Sequence, residues 1–171
     1  RNEGTINLTA QSTLVSESRS YKIFRLGIAD ADSTSLAFAT GIDGAEGPNT
    51  ITNTFTGSIT VSSNASATAT GVAADIGAAG ASASTTSNAH STGIKSGSGE
   101  DTIINQGILN VKAISSTYAG SGDLSLIGLS FGASITEAVA DGIVAGDGKD
   151  VVTNSGTITV GAVQDNDHPM A

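Results

Sequence analysis

The stretch GIVAGDGKDVVTNSGTITV, from Gly142 to Val160, joins a glycine-rich turn that carries acids to a segment in which apolar and polar residues alternate. Its first thirteen residues have two earlier counterparts, GIDGAEGPNTITN from Gly41 and GIKSGSGEDTIIN from Gly93. The three blocks align without a gap. A repeat of about 50 residues therefore organises the chain, and periods of this order are typical of solenoid architectures.

Each block runs into an alternating segment, GSITV at Gly57, GILNV at Gly107 and GTITV at Gly156, and a fourth copy, NEGTINL, opens the chain at Asn2. Apolar residues with period two indicate strands with one buried face. The pairs concerned are Ile6 and Leu8, Ile59 and Val61, Leu109 and Val111, and Ile158 and Val160. Because no segment has helical periodicity, we expect an all-β chain of repeats 2–52, 53–104 and 105–153, with a partial repeat at 154–171.

A weaker resemblance recurs midway through the unit, where Ile76-Gly77 corresponds to Ile127-Gly128 of the next unit. Acids or amides also recur at roughly half the period of the repeat, at Asn49, Asp75, Asp101, Asp123 and Asp150. We interpret each unit as two coils of roughly 25 residues. This interpretation predicts a parallel β-helix of about six to seven coils, a rod roughly 30 Å long at about 4.8 Å per coil.

Small and amide side chains are expected to form columns inside this helix. Alanines suit a crowded inner face, and the candidates are Ala37, Ala39, Ala89, Ala138 and Ala140. Asparagines in equivalent positions predict a hydrogen-bonded amide ladder, and they are Asn2, Asn53, Asn105 and Asn154. The alternative for the region from Ala65 to Ala89 is a disordered Gly/Ser/Ala linker.

The composition narrows the classes of function. Sixteen acids against seven bases give a formal net charge of -9, which disfavours nucleic acids and anionic lipid surfaces as partners. The absence of cysteine excludes disulfides and thiolate sites. Since the chain has neither a long apolar run nor the order of a signal peptide, we expect no membrane insertion here and interpret the chain as a segment of a larger protein.

GDGKDVV (Gly146 to Val152) and GSGEDTI (Gly97 to Ile103) resemble the nonapeptide GGxGxDxUx of repeats-in-toxin proteins. Together with TNSGTITV, the pattern is similar to repeats of autotransporter passenger domains and other large bacterial adhesins. The resemblance implies a right-handed β-helix or β-roll that is secreted or displayed on the bacterial outer surface, with a structural or adhesive role. Host-surface molecules, glycans or neighbouring repeat domains would be its partners.

The resemblance also implies calcium. It makes Asp101 and Asp150 the carboxylate ligands and gives carbonyl ligands from the turn glycines, which are Gly97, Gly99, Gly146 and Gly148. With coils in register, Asp75 and Asp123 would join the same acidic column, whose repulsion a bound calcium would relieve. The alternative is turn chemistry, in which glycine adopts positive φ and the acid caps the backbone. The first block departs from the pattern, with Ala45 for a glycine and Asn49 for the acid.

Catalytic signals are sparse. Bases concentrate only in SRSYKIFR, from Ser18 to Arg25, and His90 and His168 are isolated in the sequence. We therefore predict that the chain is not an enzyme. The alternatives left open are a self-assembling filament or surface-layer subunit and a carbohydrate-binding or carbohydrate-active β-helix. An ice-binding face is disfavoured because the threonines do not repeat cleanly.

Overall fold

The computed structural model describes residues 1–167, which form ten β-strands and no helix. The strands are β1 (Thr5–Lys22), β2 (Gly27–Asp43), β3 (Thr50–Asn53), β4 (Ser58–Asp75), β5 (Ala78–Lys95), β6 (Thr102–Asn105), β7 (Ile108–Leu124), β8 (Ile127–Val144), β9 (Val151–Asn154) and β10 (Thr157–Asp167). Nothing in this part of the chain therefore forms a helix long and apolar enough to cross a membrane.

The strands form three parallel sheets, each built from equivalent strands of successive repeats. Sheet I has the order β1-β4-β7-β10, sheet II the order β2-β5-β8, and sheet III, made of the short strands, the order β3-β6-β9. Every strand is parallel to its neighbours. The predicted all-β parallel β-helix is confirmed.

One turn of the helix spans a whole repeat, and the prediction of six to seven coils, two to each repeat, is wrong. In sheet I, Ile6 pairs with Ile59, Ile59 with Leu109, and Leu109 with Ile158. Residues 1–167 therefore make three turns and the first long strand of a fourth. The four strands of sheet I span about 14 Å along the axis at about 4.8 Å per step, so the expected rod of roughly 30 Å is too long.

The cross-section is flat because sheets I and II face each other through short side chains. The hydroxyl of Ser91 donates to that of Ser63, and the hydroxyl of Ser115 donates to that of Ser87, each at 2.8 Å. Of the predicted alanines, Ala37, Ala89 and Ala138 form a column here, buried and in register. Ser91 lies between Ala39 and Ala140 in the equivalent row. Since residues 65–89 lie almost wholly in β4 and β5, they are not a disordered linker.

The cross-section widens where sheet III closes the turn, and this end holds the apolar core. Its fully buried side chains are Ile59, Val61, Ile94, Ile103, Leu109 and Val111. Glycine is required at the adjoining corner. A Cβ on Gly93 would lie 2.6 Å from both the Gly142 carbonyl oxygen and Leu109 Cδ1, which is too close for either contact.

The asparagine ladder predicted from the repeat is confirmed. The amide of Asn2 donates to Asn53 at 2.9 Å, Asn53 to Asn105 at 2.8 Å, and Asn105 to Asn154 at 2.7 Å. Asn53 and Asn105 have no exposed surface. The ladder therefore joins all successive turns through the interior.

Candidate functional site

The glycine–acid turns of the three blocks stack on one another at the corner that precedes sheet III. Isolated parallel bridges join Glu46 to Ser98 and Ser98 to Asp147, so even these turns are paired along the axis. The predicted turn glycines all have positive φ, with 93° at Gly97, 131° at Gly99, 82° at Gly146 and 146° at Gly148. Ala45, which replaces a glycine in the first turn, has a φ of 61°.

Asp101 and Asp150 form a ladder that links side chain to backbone at this corner. Oδ1 of Asp101 accepts the backbone N–H of Asn49 at 2.7 Å, and Oδ1 of Asp150 accepts the N–H of Asp101 at 3.0 Å. Asp101 is 1% exposed. Each carboxylate thus caps the backbone of the preceding turn.

Asn49 takes the place of the acid in the first turn and adds donors that a carboxylate lacks. Its Nδ2 donates to the Gly47 carbonyl at 2.6 Å and to the Ser96 carbonyl at 3.1 Å. The corner therefore presents carbonyl oxygens that can accept bonds from an amide in the capping position.

The described side chains do not complete a calcium shell. Calcium takes six to eight oxygen ligands, whereas Oδ1 of both Asp101 and Asp150 is already bonded to backbone N–H groups. Oδ2 of Asp101 is buried without a hydrogen-bond partner, and it is the oxygen that a cation would contact. In residues 1–167 no three His, Asp or Glu side chains converge as a metal group would require.

Asp75 and Asp123 lie elsewhere, and the prediction of one acidic column with all four aspartates is wrong. Both are at the opposite end of the flat turn, near the ends of β4 and β7. They do not stack on each other, since Asp123 pairs with Ala73. Asp75 Oδ1 accepts the N–H of Gly77 at 2.9 Å, which is again a turn cap. The half-repeat interval between the acids reflects two different corners of one turn.

A cluster that the sequence did not predict lies on the outer face of sheet II. His90 Nε2 is 2.8 Å from Asp141 Oδ2, and the ring of Phe38 lies 6.4 Å from the His90 ring, centroid to centroid, at an interplanar angle of 53°. Thr92 Oγ1 lies 3.4 Å from His90 Nε2. Lys95 helps line the adjacent groove of about 230 Å³. His90, which is isolated in the sequence, thus has an acid partner from the next repeat in the fold, whereas His168 lies outside the described residues.

The repeat contains the signal that would have found this cluster. His90 and Asp141 are 51 residues apart, and Asp141 pairs with Thr92, two positions from His90 on the same face. The cluster offers an exposed aromatic ring beside hydrogen-bonding groups that are only partly exposed. Such a combination can stack on a sugar ring and bond its hydroxyls.

Comparison of the chain with protein-family models, with curated protein sequences and with solved structures found no match.

Proposed function

We propose that this chain is a non-catalytic structural or adhesive segment of a secreted or surface-displayed bacterial repeat protein. The observation that carries the proposal is the buried asparagine ladder, because it connects every turn to the next along the axis. The caps of Asp101 and Asp150 add a second axial connection at the corner. These repeated polar side chains therefore bond mainly to groups of the neighbouring turns. Such bonds would hold the outer faces of the stack in fixed positions, as a structural or adhesive segment requires.

Glycans are the adhesive partners that the outer face of sheet II fits best. The groove beside Phe38, His90 and Asp141 combines an aromatic ring with a carboxylate and an imidazole. Labelled chain applied to a glycan array tests this assignment. We expect binding that is lost in Phe38→Ala and retained in Phe55→Ala, which removes an exposed ring from the connection after β3. Equal binding by the two variants would contradict the assignment.

Whether calcium binds at the corner of the glycine–acid turns is a separate question. The calcium hypothesis predicts a higher melting temperature with calcium than with excess chelator, whereas the cap interpretation predicts equal melting temperatures. We favour the cap, since backbone N–H groups already occupy one oxygen of each of Asp101 and Asp150. If calcium binds here, Asp150→Asn should abolish the difference between the melting temperatures with calcium and with chelator. Asp147→Asn, which removes a neighbouring acid outside this ladder, is the matched control and should leave that difference unchanged.

Filament formation by end-to-end stacking is the alternative. Within residues 1–167, β1 and β10 are the outermost strands of sheet I, and the free edges of such strands can pair with another chain. Electron microscopy over a concentration series separates the two functions, because fibres would favour the filament.

A further inference from the structure

Large and small side chains occupy neighbouring strands on the outer face of sheet II. The ridge consists of Leu129, Phe131 and Ile135 on β8, which are 67%, 64% and 63% exposed. The trough consists of Gly80, Ser82, Ser84 and Thr86 on β5. Register places Leu129 beside Gly80, Phe131 beside Ser82 and Ile135 beside Thr86. Each large side chain of the ridge therefore has a small neighbour in the trough.

One end of the trough is a defined groove. Gly80 and Ser82 form its floor, Ile28 contributes to one wall, and Leu129 and Phe131 contribute to the other, with a volume of about 380 Å³. Exposed apolar surface of this kind on a soluble chain usually marks an interaction site. The lining is mainly apolar, and its one carboxylate, Asp30, accepts a hydrogen bond from the Ser82 hydroxyl, so the groove suits apolar side chains.

The ridge and the trough are complementary under a two-fold rotation. The rotation axis lies in the interface, parallel to the strands and midway between β5 and β8. A half-turn about it places β8 of one copy over β5 of the other, and each residue keeps its position along the strand direction. Leu129 of one copy then lies over Gly80 of the other, and Phe131 lies over Ser82. Because the same rotation applies in both directions, both ridges fill both troughs, as in an isologous interface.

The polar groups of this face are compatible with the same arrangement. Glu137 is in register with Asn88, and Asp141 is in register with Thr92, so the rotation places each acid over a side chain that can donate a hydrogen bond. Asp30 and Asp32 are on β2, outside the two overlapping strands. The same rotation also brings the two copies of Glu137, and the two copies of Asp141, diagonally across the interface from each other, so we expect added salt to strengthen the pairing by screening these like charges.

The area is sufficient for a stable pair. β8 has 18 residues, and two strands of that length cover on the order of 600 Å² at about 3.3 Å per residue and 4.8 Å per strand. Counting both copies gives about 1,200 Å², the lower end of the range for specific interfaces.

From these observations we propose that two copies of this chain pair through the outer faces of their sheets II, with the ridge of each in the trough of the other. This lateral pairing is distinct from end-to-end stacking and goes beyond the structural or adhesive role. It places Val139 of one copy over His90 of the other, so pairing and glycan binding beside His90 and Asp141 exclude each other. It leaves the edges of all three sheets free.

Sedimentation equilibrium of the full 171-residue chain over a concentration series tests the pairing. We expect a monomer–dimer equilibrium whose Kd rises at least about 100-fold when Leu129 and Phe131 are both changed to serine, since two large apolar side chains lose their burial. Ser82→Phe, which fills the trough, has the same expected effect. Phe55→Ser is the matched control and leaves the Kd unchanged. Circular dichroism and melting curves confirm that each variant is folded.

Cross-linking tests the orientation, since the chain has no native cysteine. Ala133 lies between Phe131 and Ile135 on the outer face of β8, and the two-fold arrangement brings both copies of it close together. A short bis-maleimide is expected to link Ala133→Cys chains covalently into dimers. Thr68→Cys chains, whose cysteine lies on the outer face of sheet I, should stay uncross-linked. A chain that is monomeric throughout, a dimer insensitive to the ridge and trough variants, or an uncross-linked Ala133→Cys dimer would overturn the proposal. A monomer that binds lipid vesicles through the ridge would also overturn it.

Discussion

The side-chain amide of Asn53 donates a 2.8 Å hydrogen bond to the side-chain oxygen of Asn105, one turn further along the axis, and both residues are completely buried. A slip of the strands by one residue would leave buried amides without partners, at a cost of about 1–3 kcal/mol for each unsatisfied group. The ladder therefore fixes the register of successive turns as well as stabilising them.

Replacing Asn105 with alanine removes two rungs of the ladder at once. It leaves the Asn154 side-chain oxygen without its donor and deprives Asn53 of its strongest acceptor. We expect the free energy of unfolding to fall by about 2–4 kcal/mol, measured by urea denaturation. Asn110→Ala, on the outer face of β7, is the control and should change it by less than about 0.5 kcal/mol. Equal effects of the two substitutions would refute the stabilising role of the ladder.

Replacing Ala45 with glycine should stabilise the chain, which is unusual for such a substitution. Ala45 has a φ of 61°, and left-handed backbone costs an L-residue roughly 1–2 kcal/mol. We expect the free energy of unfolding to rise by about 1 kcal/mol. Ala74→Gly, inside β4, should lower it by about 0.5–1 kcal/mol. A loss of stability in Ala45→Gly would show that this backbone strain is absent.

Two replacements of Asp101 distinguish its role as a backbone cap from a role as a calcium ligand. Asparagine keeps the oxygen that accepts the Asn49 N–H and puts a donor in place of the buried, unpartnered Oδ2, as Asn49 does in the first turn. We expect Asp101→Asn to unfold at the same urea concentration as the unchanged chain or at a higher one. Asp101→Ala should lower the free energy of unfolding by about 2 kcal/mol. Stability that depends on calcium, and that both replacements abolish equally, would instead establish the metal site.

Gly93, beside the apolar core, is expected to tolerate no side chain. A Cβ at Gly93 would lie within 2.6 Å of a carbonyl oxygen and of Leu109 Cδ1, and overpacking of this kind costs about 1–3 kcal/mol. Gly93→Ala should therefore melt at a lower temperature, measured by circular dichroism. Gly161→Ala is the control, because a Cβ at Gly161 would meet no atom within 4 Å. An unchanged melting temperature in Gly93→Ala would mean that the corner is wider than these distances indicate.

The asparagine ladder and the core columns were predictable because each recurs as identical or similar residues in every repeat. The number of residues in one turn of the helix was not predictable from the repeats. β4 and β5 have the same length of 18 residues and the same alternation of small inward residues, so the chain resembles itself at half the true period. Alternation identifies strands, but it cannot distinguish strands that face each other from strands that pair side by side.

The same ambiguity explains the site predictions. Asp101 and Asp150 lie together, as the repeat predicts, because they occupy equivalent positions of successive repeats. The prediction that Asp75 and Asp123 join them depends on the half-period, and these two acids lie at another corner. The contact between His90 and Asp141 depends on the register of β5 and β8, which becomes known only when the full turn is known.

The central claim is that one turn of the helix spans a whole repeat, and electron paramagnetic resonance of paired nitroxide labels tests it directly. Thr60 and Asn110 are register partners on the outer face of sheet I, at about 4.8 Å between strands, so labels at these positions should show strong dipolar broadening. Labels at Thr60 and Thr86, which would be neighbours if a coil were half a repeat long, lie on opposite outer faces and should show none. Broadening of the Thr60 and Thr86 pair, with none for Thr60 and Asn110, would contradict a turn that spans the whole repeat.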